Sequence, residues 1–217
     1  MIALAFALIA AGSLSGKVTL TGLAPKLANL PVTRDAKSCG GPSKPDEALE
    51  IGSGNGVKNA VVWFTDIKEP PGERKEREKL DQQNCQYVPH VVVAPVVTTL
   101  EVVNSDSVLH NVRTTEGNNK LFNYAMPIKG HVVPTRLRKE GIYKVGCDVH
   151  PWMRAWLLVL DTATYAITDD SGQYKLEGLP PGKHKVKIWH ERLGEKEQEI
   201  EIANDKSAVW DVAYNPR

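Results

Sequence analysis

The sequence predicts an all-β protein, on two observations. Short Val-rich segments recur along the chain, set apart by Gly and Pro, which is the pattern of a sandwich or a barrel. Turn signals stand between alternating segments, as in Asp169-Asp170-Ser171-Gly172 and Pro180-Pro181-Gly182. With 217 residues there is room for one or two domains and a substantial core.

The elements follow in order. Residues 1–13 open with an apolar run, too short to span a bilayer, that fits the core of a secretory signal. Its positively charged n-region is missing, so a truncated start is part of this reading; no Cys follows that would carry a lipid anchor. Gly16 to Gly22 and Lys58 to Phe64 read as strands. The run Pro70 to Lys79 is dense in charge and reads as a short exposed helix or a solvated loop. Gly141 to Gly146 is a strand, and Arg154 to Leu160 is another. Ile167 to His190 alternates again.

Between two of these strands lies Gly-Cys-Asp-Val-His-Pro-Trp-Met, which carries Cys147, His150 and Met153. Three potential ligands within seven residues need a tight loop, because a strand would send alternate side chains to opposite faces. Pro151 fixes one φ angle there. Val-Leu-His-Asn-Val supplies His110 from another part of the fold. One thiolate, two imidazoles and a thioether make the donor set of a mononuclear blue-copper centre, with Met as the weak axial ligand. Soft sulfur favours the cuprous ion and imidazole suits both oxidation states, so the expected chemistry is one-electron transfer. Asn111 is placed to bond the Cys loop and hold the thiolate. Zinc, whose N/S preferences overlap, is the alternative occupant.

Thr99 to Val112 and Gly141 to Met153 together resemble the cupredoxins, most closely amicyanin, with its short Cys-x-x-His-x-x-Met loop. The resemblance covers roughly residues 86 to 160. It implies a Greek-key barrel or sandwich and one type-1 copper on His110, Cys147, His150 and Met153, tied by Asn111. In that family the last ligand His shows one edge at the surface within an apolar patch, where electrons pass. Here that His is His150, and Pro151 and Trp152 would form the patch. One departure is Pro95-Val96-Val97, where the family usually has a Gly turn. Ile167 to His190 resembles a second family, the carboxypeptidase regulatory-like, transthyretin-type sandwich. The expected organisation is therefore a discontinuous sandwich, 15–68 and 162–217, with a cupredoxin domain at 80–161 inserted into it. The alternative is a longer cupredoxin, 15–160, followed by a small tail domain.

With Cys147 assigned to metal, Cys39 and Cys85 remain as a pair. In an oxidising compartment they would close a loop of about 45 residues and stabilise by roughly 4 kcal/mol. Under the discontinuous reading this bridge ties the sandwich to the root of the barrel. His90, His131, His184, His190 and Met126 are read as structural or exposed residues outside the metal set. Charge nearly cancels, 27 basic residues against 26 acidic, which speaks against nucleic-acid binding. Aromatic residues are 6% of the chain, too few for a carbohydrate-binding stripe.

These readings lead to an exported protein, periplasmic or extracellular, that transfers single electrons between redox partners such as a c-type cytochrome or a dehydrogenase. A copper-storage or delivery protein and a structural cell-envelope module are the other classes. Catalysis is not expected, because the sequence offers one copper motif and no second, substrate-binding one.

Overall fold

The computed structural model describes residues 11–68 and 77–216. Among them every regular element is a β-strand except a 3-10 turn at Ser53–Asn55, so the all-β expectation is met. Residues 1–10 of the expected leader lie outside the described residues, and Gly12 already begins a strand, Gly12–Leu20. The charged run is described only from Arg77, where it enters the strand Arg77–Gln83 and not a helix.

The described residues form two units. The first comprises the residues up to Pro25, Leu49–Ile67 and those from Thr164 onward. One of its sheets has the order Tyr165–Ile167, Val61–Phe64, Gly182–His190, Gly194–Ile202, antiparallel throughout. Val61–Phe64 is central there and all four of its residues are buried, as a strand covered on both faces requires. In the other sheet Gln173–Leu179 runs antiparallel to Gly12–Leu20. Gly12–Leu20 also pairs in parallel with Ser207–Val209 and then with Val212–Tyr214. Tyr174, Leu176 and Leu179 point inward from Gln173–Leu179, and the buried Tyr174 hydroxyl donates to the Trp210 carbonyl at 2.7 Å.

The turn before Gln173 is built by Asp169, whose Oδ1 accepts from the backbone N–H groups of Ser171 and Gln173 and from the Ser171 hydroxyl. Gly172 closes it at φ 77°, and a Cβ there would lie 2.2 Å from the Val18 carbonyl oxygen. The turn demands glycine on both counts.

The second unit comprises Lys26–Ala48 and Lys68–Ala163. Its five-stranded sheet has the order Asn119–Met126, His110–Glu116, Gly141–Gly146, Arg154–Leu160, Val91–Pro95. Its four-stranded sheet has the order His131–Arg136, Thr99–Asn104, Arg77–Gln83, Gln86–Val88. Each contains one parallel pair, Arg154–Leu160 with Val91–Pro95 and Arg77–Gln83 with Thr99–Asn104; the other pairs are antiparallel. Inward residues of both sheets, among them Leu80, Leu100, Val112, Tyr143 and Leu157, join one core cluster. At the departure Pro95-Val96-Val97 the backbone keeps a left-handed turn, and Val97 adopts it at φ 61°. A β-branched residue rarely tolerates that region.

Residues 26–48, expected in the sandwich, pack with the second unit. The reasons are covalent, apolar and ionic. Cys39 is bonded to Cys85, Leu30 and Val32 lie against the core cluster, and Asp46 pairs with Arg154. The disulfide therefore forms within this unit and does not tie the sandwich to the barrel. Leu30–Pro31 and Ser43–Lys44 pair with each other, which folds the segment into a strap.

Candidate metal centre

The loop 147–153 joins two antiparallel neighbours of the five-stranded sheet, whose last pair is Gly146 with Arg154. On the other side of Gly141–Gly146 lies His110–Glu116, with Gly146 opposite Arg113. This register sets His110, the first residue of its strand, beside the loop. The His110 and His150 Nδ1 atoms are 2.8 Å apart, and Cys147 Sγ is 3.9 Å from His150 Nδ1. His110, Cys147 and His150 thus bring three ligand atoms within 4.8 Å of one another. Met153 is buried in the same core cluster as Cys147, and its backbone N–H donates to the His150 carbonyl.

The Cys147 sulfur accepts backbone N–H groups from Asn111 at 3.5 Å and His150 at 3.4 Å. Asn111 also ties down the loop: its Oδ1 accepts the Asp148 N–H, and its Nδ2 donates to the Asp148 carboxylate at 3.0 Å. Arg113 clamps the same carboxylate at 2.8 Å and holds it below the usual range. Beneath lies Tyr87, whose hydroxyl donates to the Asn111 carbonyl. Burial, followed by the nearby Cys147 and Asp148, pushes that phenol well up, so it stays protonated.

Sequence reasoning missed two carboxylates. Asp106 Oδ2 is 2.9 Å from His110 Nε2, and Asp35 Oδ2 is 3.0 Å from His150 Nε2. An ionised carboxylate only accepts, so each Nε2 carries the proton and donates. Both Nδ1 lone pairs then face each other at 2.8 Å, next to a sulfur. Burial outweighs Asp106 and lowers the His110 pKa, keeping that ring neutral and able to ligate. The donor set fits a cation held by two imidazoles and a thiolate, with carboxylate-backed histidines of the kind that surround metals. Asp106 is anchored in turn by the backbone N–H groups of Asn84 and Cys85, at 2.7 and 2.8 Å. Its position four residues before His110 was a readable hint; no local signal marks Asp35.

The expected surface patch differs in the structure. His150 is 0% exposed and Trp152 only 6%, while Pro151 is exposed. Asp35 and Cys39 of the strap lie against His150. Trp152 turns inward, its Nε1–H donating to the Cys85 carbonyl at 3.1 Å and its ring centre 4.9 Å from that of His150. The disulfide lies alongside, with Cys39, Cys85 and His150 ligand atoms within 4.8 Å of one another. Of the other histidines, His90 is buried 3.8 Å from Glu47, and His184 bonds Asp66 in the first unit.

No protein-family model matches the chain, and no curated protein does. Among solved structures it is similar to a purple cupredoxin from Nitrosopumilus maritimus, at 29% identity over 38% of this chain and 98% of that one, with a TM-score of 0.34. It is similar also to amicyanin from Paracoccus versutus, at 19% identity over 45% of this chain and 96% of that one, with a TM-score of 0.35. A Cu-containing nitrite reductase from Thermus scotoductus matches at 20% identity over 43% of this chain and 25% of that one, TM-score 0.35. The two sheets of the second unit share one core cluster, in the manner of a β-sandwich. No helix among the described residues is long and apolar enough to cross a membrane.

Proposed function

We propose that the second unit holds one type-1 copper on His110 Nδ1, Cys147 Sγ and His150 Nδ1, with Met153 as weak fourth donor, and that it transfers single electrons. The observation carrying this reading is the convergence of the His110, Cys147 and His150 ligand atoms while both outer imidazole nitrogens are occupied by carboxylates. When bound, copper supplies a one-electron couple. The chain's residues do the rest: Asp106 and Asp35 fix the rings, Asn111 and the His150 N–H steady the sulfur, and the buried setting excludes water. Such preorganisation limits rearrangement when charge moves. We read the first unit as a structural module of the carboxypeptidase regulatory-like kind. The buried disulfide fits an oxidising compartment, hence export, with a cytochrome or dehydrogenase as redox partner.

Cupric ion added to the purified protein should give an intense blue or purple band and an unusually narrow copper hyperfine splitting, both lost in Cys147→Ser. A colourless protein would remove the type-1 assignment. The covered His150 edge favours a second reading, a protein that stores copper. A shuttle keeps its copper through repeated redox cycling against a chelator, whereas a carrier surrenders it to an apo-partner.

A further inference from the structure

Residues 26–48 put a carboxylate on a ligand edge that the family resemblance expected to be bare. The His150 side chain is wholly buried, whereas that of Asp35 is 45% exposed, so Asp35 is the group between the imidazole and solvent. Its place is fixed from several directions. Asp35 has φ 52°, and its carbonyl accepts the N–H groups of Ser38 and Cys39 at 2.9 and 2.8 Å. Cys39 is bonded to Cys85, whose N–H donates to Asp106 and whose carbonyl accepts Trp152 Nε1–H. The turn that presents Asp35 to His150 is thus joined, through Cys85, to the carboxylate that holds His110.

We infer that Asp35 is a positioning residue for His150, and that through it the strap biases the centre toward its oxidised state. The inference rests on the copper reading for its second half only. As acceptor, Asp35 keeps the proton on His150 Nε2 and leaves Nδ1 free to ligate. As an anion behind the ring, it stabilises the doubly charged ion more than the singly charged one. Losing the charge therefore weakens cupric binding more than cuprous binding, and the potential rises.

Two variants separate position from charge. Asp35→Asn keeps an oxygen that can accept from Nε2–H but loses the charge; Asp35→Ala loses both. The first readout uses metal-free protein: the 15N chemical shifts of the His150 ring above the imidazole titration range. We expect the Nε2–H tautomer in the parent and in Asp35→Asn, and a mixture in Asp35→Ala. The second readout is the potential of the copper-loaded protein. Both variants should shift the cupric-to-cuprous affinity ratio at least tenfold toward cuprous, about 59 mV upward for a one-electron couple. An unchanged tautomer in Asp35→Ala would overturn the positioning role. A potential within twofold of the parent in affinity ratio would overturn the bias. Failure of the parent to take up copper as a type-1 centre would overturn the copper reading and with it the bias, while the tautomer measurement would still decide the positioning role.

Discussion

Opening the Cys39–Cys85 bridge should cost the second unit about 4 kcal/mol. The two cysteines are 46 positions apart, and both are fully buried in the core cluster. Cross-linking a loop of that length removes roughly 13–14 cal/mol/K from the unfolded chain, which gives the stated figure at room temperature. The perturbation is Cys39→Ala with Cys85→Ala, which leaves no unpaired thiol at either end of the bridge. The assay is native-state amide exchange at Val145 and Leu157, strand residues of the second unit, because exchange reports that unit's own opening free energy. Opening there should become easier by about 4 kcal/mol, close to a thousandfold in exchange rate when closing outruns exchange. A loss under about 1 kcal/mol would refute loop closure as the source of stability, and would mean that the strap's apolar and ionic contacts hold it in place unaided.

Two further outcomes concern the first unit. Gly172→Ala should destabilise it by about 2–4 kcal/mol, through a left-handed φ and a collision with the Val18 carbonyl, read as a lower urea midpoint at unchanged slope. Asp169 has its pKa lowered, first by the Ser171 hydroxyl and then by the Gln173 N–H. Its folded pKa lies below its unfolded one, so its contribution is present above the ordinary aspartate range and fades as pH falls through the folded value. Asp169→Asn should therefore be less stable than the parent at neutral pH, and the gap should close in acid; a gap independent of pH would contradict this.

Cys147, His150 and Met153 were readable as a candidate set because their proximity is local: seven residues of loop between two strands leave little freedom. His110 was readable from a residue pattern, and the sheet register then sets it beside that loop. Asp35 was not readable, since it reaches His150 across 115 positions from a segment with few apolar residues and turn-like composition. The same gap explains Trp152, whose exposure depended on nothing lying over it. Arg77–Gln83 was hidden differently. Its first half is charged, and pairing with Thr99–Asn104 and the Arg77–Glu101 ion pair make a strand that local preference does not suggest. In Gln173–Leu179 the inward positions alternate clearly at first, so that strand was plain.

The parallel pairing of Gly12–Leu20 with Ser207–Val209 and Val212–Tyr214 has a consequence for biosynthesis. A chain that emerges N-terminus first, from a ribosome or a translocation channel, delivers this strand long before these partners. The second unit has all its sheet strands by Leu160 and can close while the first still lacks Gln173–Leu179 and everything after it. During that interval Leu14, Val18 and Leu20 have no finished core to enter, and the strand's edges are open to any other extended chain. A stalled or C-terminally clipped product would thus keep its second unit folded while displaying a sticky, unpaired strand, the kind of species that chaperones and proteases recognise.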